Sequence, residues 1–490
     1  MQTRRILFPA LILMAVFVFS ARDVMSDQLR ISSLANAGLA LEDRDYQVNP
    51  FDFGRNPAWL YLDFEYPYMR FITSLSEARG DLGREYDPGL VNDLYFGFSG
   101  IKTLGSRQVV SGRIDYQRLR EREIFHSLES NQYNDPFYLT DLTTGDFEYY
   151  GPRTSVDYSL RIREGLLVGA GFDYNINTGL KQVYTRPEII HNYFRGGFGV
   201  TWEAADQLVL GLIYRPTRVQ NKTKFARPEE GYDNIIYSYA GDGIYEIKTI
   251  AGYTINELLH GHEGTLQAFY MTDKLNAGLL ATYGRRETDI EYNKTKRIPK
   301  GYWEEELIDI SFKSRYTPSD RRLSIGVSGR FTNNDGWGVR PDFDEVLLYD
   351  NPYRCVSGGI GASYRLMPFD LIVAAEYLLK KYDIEVYDYG ASLFRESGIV
   401  TNIGRLALEK NILNVYSFRL GFELTDYPVD RWLKMPQNID RYSFTGGVGC
   451  YLNGWEIDLH LQYGRGVKEG FEEEREELAA IVWFTRIMGQ

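Results

Sequence analysis

The chain has 490 residues, a formal net charge of −12, 25% charged residues and 15% aromatic residues. That acidic balance argues against a nucleic-acid partner, which would demand a basic face. Two cysteines, Cys355 and Cys450, exclude a disulfide-stapled scaffold, and after Phe19 no run of about 18 apolar residues offers a membrane-spanning helix.

At the amino terminus, Arg4 and Arg5 precede an apolar run from Ile6 to Phe19 and the small residues Ser20 and Ala21. The pattern predicts a secretory signal peptide over residues 1–20, with cleavage after Ser20, Ala21 or Ser26. A retained helical anchor is the alternative, but the run is shorter than the ~20 residues a span requires. No Cys lies near the cleavage region to carry a lipid anchor. Export leaves the periplasm, the medium or an outer membrane as destinations.

From about residue 67 onward the chain alternates apolar and polar residues with the period of a β-strand. Leu166, Val168, Ala170, Phe172, Tyr174 and Ile176 face one way, and Gly169, Gly171, Asp173 and Asn175 the other. Leu323, Ile325, Val327 and Phe331 alternate with Ser324, Gly326, Ser328 and Arg330. Tyr416, Phe418, Leu420, Phe422 and Leu424 alternate with Ser417, Arg419, Gly421, Glu423 and Thr425. Near the carboxyl end, Tyr442 to Leu452 and Trp455 to Tyr463 form two such runs around Asn453-Gly454, a strong hairpin signal. Glu456, Asp458, His460 and Gln462 share the polar face of the second run.

A soluble sandwich and a membrane barrel share this period but invert its faces, so the connections decide. Short turns are predicted at Leu104 to Ser106, Glu164-Gly165, Ala204 to Asp206, Thr272 to Lys274, Pro318 to Asp320, Met367 to Phe369, Lys410 to Ile412 and Asn453-Gly454. They alternate with longer polar connections such as Glu121 to Tyr149, Thr217 to His262, Thr332 to Pro352 and Gly466 to Glu477. Asp233 to Met271 reads as one descending strand preceded by a structured outer loop. Strict alternation of tight turns and long loops is the habit of a membrane barrel. The prediction is an all-β protein, a transmembrane antiparallel up-and-down β-barrel of 14–18 strands, eighteen by the best count, over residues 67–490.

Prolines at 88, 136, 187, 216, 228, 299, 341, 352, 428 and 436 fall in the long connections or at their edges, with Pro318 and Pro368 in tight turns. None is expected in a strand interior, where proline would remove a ladder donor. No repeat of about 40 to 50 residues supports a propeller. The 38 tyrosines against 7 tryptophans suit the aromatic girdles of a barrel, although a soluble β protein could carry them too.

Glycine clusters at Gly196, Gly358 and Gly446 sit inside strands with no following helix. They fail the dinucleotide fingerprint and fit close backbone approach or lumen space. In "HGHEG", His260, His262 and Glu263 have metal-ligand composition, but no third His or Cys lies near, and a solvated loop is the simpler reading. Glu469 to Glu477 reads as a solvated acidic loop, with a cation-collecting rim as the sharper alternative. Cys355 is placed near the outer rim and Cys450 near the inner rim facing lipid, too far apart for a disulfide. His460 beside Asp458 and Glu456, and His126-Ser127, each lack a third catalytic member. No enzyme activity, metal or cofactor is expected.

Two regions resemble the FadL family of outer-membrane transporters for hydrophobic compounds. One is "NPFDFGRNPAWL", where Asn56, Pro57 and Ala58 match that family's Asn-Pro-Ala segment ahead of the first strand; the other is the closing hairpins from Gly404 onward. The resemblance implies that residues 21–66 form a plug in the lumen, with Asn49, Pro50, Phe51, Phe53, Asn56, Pro57, Ala58 and Trp59 as its key residues. It further implies uptake of hydrophobic or amphipathic small molecules, with outer-membrane lipid and the outer-membrane assembly machinery as partners. The lumen-facing polar set Arg330, Arg419, Glu423, Glu456, Asp458, His460 and Gln462 favours a rival, a diffusion porin for polar solutes. A second rival is a non-transport barrel that scaffolds a surface or secretion complex through its long loops.

Overall fold

A computed structural model describes residues 56–488, apart from 65, 84–85, 130–135, 226–234, 242–243, 250–253, 294–296, 321, 342–345, 414, 427–438 and 469–473. Residues 1–20, expected to form a signal peptide, and Asn49, Pro50, Phe51 and Phe53 lie outside the described residues. A 3-10 turn at Pro57–Trp59 and one helical turn at Leu60–Asp63 come first. The strands follow: β1 Tyr68–Gly80, β2 Leu90–Thr103, β3 Gln108–Ile124, β4 Leu139–Thr140, β5 Gly145–Arg163, β6 Leu166–Lys181 and β7 Glu188–Ala205. Next are β8 Leu208–Lys224, β9 Ile235–Ala240, β10 Ile244–Thr249, β11 Thr254–Met271, β12 Leu275–Asn293, β13 Arg297–Tyr316 and β14 Leu323–Arg340. The chain ends with β15 Val346–Leu366, β16 Leu371–Asp388, β17 Leu393–Ile412, β18 Tyr416–Asp426, β19 Ile439–Leu452, β20 Trp455–Lys468 and β21 Glu474–Ile487.

Among the described residues, all strands except β4, β9 and β10 form one antiparallel sheet of eighteen strands. It closes where β1 pairs with β21, Tyr68 opposite Ile487 and Gly80 opposite Arg475. Closure removes the two sheet edges that would otherwise expose unpaired backbone groups, the condition for strands to live in lipid. The connections alternate between the two ends as the sequence predicts, but not strictly in length: residues 294–296 alone join β12 to β13 at the loop end, whereas residues 317–322 join β13 to β14 at the tight-turn end. The Asn453-Gly454 turn has both residues at positive φ, 48° and 75°, the left-handed pair a two-residue hairpin requires.

The faces have the membrane sense. Leu266 and Leu420 on the outside are 62% and 63% exposed, and Phe71, Ile114, Phe198 and Ile360 are similarly bare. Arg70, Asp115, Glu409 and Asp458, from strands around the ring, are buried on the inside. In water each such outward Leu, Ile or Phe would forgo about 1.5–3 kcal/mol of burial, so the outer band belongs in hydrocarbon. Several of the inward charges are matched across neighbouring strands. Glu263 on β11 takes Arg215 at 2.8 Å and Arg195 at 3.2 Å, and Arg405 on β17 takes Glu423 at 2.8 Å.

The strands run further toward the loop end than their alternation predicts. β8 continues to Lys224 and β11 begins at Thr254, so much of the expected Thr217 to His262 connection is wall; likewise β14 reaches Arg340 and β15 begins at Val346. About 9–11 residues per strand suffice to cross the membrane. Beyond it both faces are polar, so the hydrophobic period fades while ladder hydrogen bonds continue. For the same reason β21 starts at Glu474 rather than Glu477; at the tight-turn end, the turn expected at Lys410 to Ile412 falls after Ile412.

The proline expectation is corrected too. Pro152, Pro216, Pro299 and Pro352 lie inside strands, each where a ladder is interrupted. Gly151-Pro152 is skipped between the Tyr150–Thr178 and Arg153–Asn175 pairs, and Arg215-Pro216 between the Tyr214–Phe198 and Thr217–Arg195 pairs. Asn351-Pro352 is skipped between Asp350–Tyr387 and Tyr353–Ile384, and Pro299 adjoins the register shift at Ile290/Glu291. A missing donor is tolerated because the wall is irregular there.

Candidate functional site

Two segments outside the wall occupy the inner face of the barrel, one at each end. At the tight-turn end sits Asn56-Pro57-Ala58-Trp59. Asn56 caps the 3-10 turn, its Oδ1 accepting from Ala58 N at 3.0 Å, while its Nδ2 donates to Gln267 Oε1 at 2.8 Å and Thr201 Oγ1 at 3.2 Å. Ser159 Oγ donates to Ala58 O at 2.9 Å, and Trp59 packs edge-on to Phe269, centroids 5.6 Å apart, beside Val209. The tyrosine hydroxyl of Tyr61 donates to Ser106 O, in the β2–β3 turn, at 3.0 Å.

The wall is shaped for this segment. A Cβ at Gly169 would collide with the Ala58 backbone, and one at Gly199 with the Asn56 side chain. Gly199 belongs to the "GGFG" cluster, which is thus a close-approach surface. The other two clusters are mixed: an added Cβ would collide with the Ser417 and Asp458 side chains at Gly449 and with Ser328 at Gly359, whereas Gly446 has no neighbour within 4 Å and Gly358 only a backbone oxygen at 3.9 Å.

At the loop end, β10, β9 and β4 form a separate three-stranded sheet that roofs part of the lumen. Leu139 stands opposite Ser238, and Tyr138 stacks on Tyr239 with centroids 4.6 Å apart. Leu128, Leu139 and Ile236 of this roof are almost fully buried against Ile255, Ile290 and Tyr292 of the wall. The β3–β5 connection that carries β4 is held by Lys181, whose Nζ meets Asp141 Oδ1 at 2.9 Å, Ser127 O at 3.2 Å and Thr143 O at 2.8 Å; both ionic side chains are essentially inaccessible. Burial pulls the Lys181 ammonium below its usual range, against the opposing pull of Asp141.

A cavity of about 290 Å³ lies between roof and wall. Phe137, Tyr138, Tyr239 and Glu246 line it from the roof side, and Leu119, Tyr149, His191, Asn221, Ile255, Glu257, Tyr292, Lys300 and Arg340 from the barrel. Glu246 clamps the roof to the wall: it meets Lys248 at 2.8 Å and Lys300 at 3.3 Å, and also pairs with Arg340. Burial pushes the Glu246 carboxyl upward, but hydrogen bonds from Lys248 and Arg340 and the nearby Lys300 charge outweigh it and hold the group at about 2. Lys248 Nζ also rests 3.6 Å from the Tyr292 ring centroid.

Strand parity puts Arg330, Arg419, Glu423, Glu456, Asp458, His460 and Gln462 on the inner face; Arg419, Asp458 and His460 come together, but the seven do not converge on one site. Arg419 meets Asp458 at 3.3 Å and His460 Nε2 at 3.3 Å, with His460 edge-on to Trp483; Gln462 donates to Ser443 at 3.0 Å. Glu423 pairs with Arg405 and, elsewhere, Arg330 forks onto Asp309 at 2.9 and 3.0 Å. Glu456 is half-buried beside the β19–β20 turn.

"HGHEG" is strand and not loop. His260 and His262 point outward and Glu263 inward, so the three cannot share an ion; His262 Nδ1 instead meets the Tyr214 hydroxyl at 2.6 Å. Among the described residues no group of three His, Cys, Asp or Glu could hold a metal. Glu474, Glu476 and Glu477 of the acidic run pair with Arg465, Arg79 and Arg441. The cavity residues escaped the sequence reading because most lie in stretches taken as outer connections. Alternation in Ile235–Ala240 and Ile244–Thr249 around Gly241, at φ 75°, was the available signal.

The sequence profile of DUF6850, a family of unknown function, matches residues 57–425. The chain belongs to DUF6850. In this DUF6850 protein the matched span takes in the Pro57 turn, the roof and most of the barrel. No curated protein matches it. Among solved structures it is similar to the ferric citrate transporter FecA in its unliganded form, at 8% identity and TM-score 0.46, covering 86% of this chain and 79% of that one. It is also similar to the siderophore receptor PiuA from Acinetobacter baumannii, at 8% identity, TM-score 0.43 and coverage of 85% and 81%. The toluene transporter TodX of Pseudomonas putida follows at 11% identity, TM-score 0.32 and coverage of 88% and 92%. Scores below one half are too loose to carry a role from those proteins to a DUF6850 chain.

Proposed function

We propose that this protein is an outer-membrane barrel that admits hydrophobic or amphipathic small molecules. The roofed cavity is their first stop and the Asn56-anchored segment is part of a plug at the periplasmic end. The observation that carries this reading is the cavity of about 290 Å³, held between an aromatic roof and a mixed polar wall. Cavities of about this size and of mixed apolar and polar lining suit small ligands with an apolar body and a few polar groups.

Conductance of the refolded, heat-modifiable protein in a planar bilayer tests it. The full chain should conduct weakly, and a variant lacking Leu34 to Leu62 should become leaky. Large, steady ion steps from the full chain would defeat the plugged reading. They would favour a porin for polar solutes, the alternative supported by the ion-paired lumen wall.

A further inference from the structure

The charges around the cavity are unevenly matched. Glu246 is surrounded by Lys248, Lys300 and Arg340. Glu257, facing the same cavity from β11, has no ion-pair partner among the described residues. Its one hydrogen bond comes from Asn221 Nδ2 to Oε2 at 3.1 Å. Asn221 Oδ1 in turn lies 2.6 Å from His191 Nδ1 and accepts a hydrogen bond from it. The relay runs one way, from the His191 N–H through the Asn221 amide, and it ends on the Glu257 carboxylate with acceptor capacity to spare.

Burial raises the pKa of the Glu257 carboxyl, against the opposing pulls of the Asn221 hydrogen bond and the His191 charge, and an ammonium seated on it would supply the charge that favours the ionised form. The surroundings suit an ammonium group with an apolar body. Ile255, Tyr149 and Tyr292 line the same space, and beside the cavity the Lys248 ammonium rests on the Tyr292 ring, 3.6 Å from its centroid. Aromatic rings attract such cations through their quadrupole.

We infer that the cavity selects small amphipathic amines, with the ligand's ammonium on Glu257 and its apolar body against the tyrosine and isoleucine wall. This rests on reading the cavity as a ligand site, and it narrows the substrate class.

The test is calorimetric titration of the full-length refolded protein in detergent at pH 7, with blank micelles subtracted. The probes are tryptamine, its neutral counterpart 3-ethylindole and its acidic counterpart indole-3-propionate. Tryptamine should bind at least about tenfold more tightly than 3-ethylindole, equivalent to about 1.4 kcal/mol, and indole-3-propionate most weakly. Glu257→Gln should bring the first two within about twofold, whereas Glu257→Asp, which keeps the charge, should retain the preference; heat-modifiability confirms that both variants fold. Equal binding of tryptamine and 3-ethylindole to the wild type, or an unchanged preference in Glu257→Gln, overturns the amine assignment and leaves the cavity as a ligand site. Failure of all three probes to bind overturns both.

Discussion

Asn56 Nδ2 donates to Gln267 Oε1 at 2.8 Å, joining residues 211 positions apart in the chain. This bond and its neighbour to Thr201 tie the segment before the first strand to the far wall of the lumen. Replacing Asn56 with Leu removes the cap and both side-chain donors, which should weaken docking by about 1–3 kcal/mol. Limited proteolysis between residues 56 and 67 should quicken while the barrel stays heat-modifiable. Unchanged cleavage would show that the tie is dispensable.

The glycine surface beneath the segment makes a stronger prediction. Gly169→Val places a side chain where the Ala58 backbone lies, and the segment cannot yield without leaving its seat. Valine is well tolerated in strands, so the wall should form and the turn should be expelled. Hydrogen exchange should show lost protection at Ala58 and Trp59 with β6 and β7 intact. Loss of protection in β6 instead would mean that the wall gives way first.

Lys181 and Asp141 form a buried pair at the base of the roof. Lys181→Met alone strands the Asp141 carboxylate and should destabilise the β3–β5 connection by about 3–5 kcal/mol. Replacing both, as Lys181→Met with Asp141→Leu, should recover most of that loss. A double variant as damaged as the single one would remove charge burial as the cause.

Glu246 supplies a pH dependence. Its folded-state pKa of about 2 lies below the ordinary 4.5, so its contribution to roof docking is fully present above about 4.5 and is lost as pH falls through about 2. Hydrogen exchange at Ile244–Thr249 should therefore accelerate across that window in the wild type. Glu246→Gln should exchange faster at neutral pH and respond less to acid. Identical acid responses in the two proteins would place the sensitive group elsewhere.

Both cysteines are unbridged, and they lie on opposite faces. Cys355 packs inward beside Trp303, Tyr349 and Tyr382, whereas Cys450 stands on the outward face opposite Ile457. In detergent-free vesicles an apolar maleimide should label Cys450 well and a charged, membrane-impermeant one should not. Rapid labelling of Cys450 by the charged reagent would reverse the face assignment.

Much of the barrel was legible because its signals are local. Alternation over ten residues, the Asn453-Gly454 hairpin and the rhythm of tight turns each depend only on neighbours along the chain, and together they predict eighteen strands. Strand ends were misplaced, as at Lys224 and Arg340, because beyond the lipid both faces meet water and the period disappears. Pro216, Pro299 and Pro352 misled the reading because a gap in one ladder depends on the partner strand.

What fills the lumen was settled only by tertiary structure. Asn56 meets Gln267, Lys181 meets Asp141, and Glu246 of the roof meets Arg340 of the wall. Such polar pairs carry no period, since each side chain answers to whatever closure of the sheet brings opposite it. The sequence by itself determined a wall with an apolar outside and a polar inside. The roof, the anchored turn and the unmatched carboxylate of Glu257 exist because joining β1 to β21 turns one face of that wall into an interior, where every charge must find a partner or wait for one.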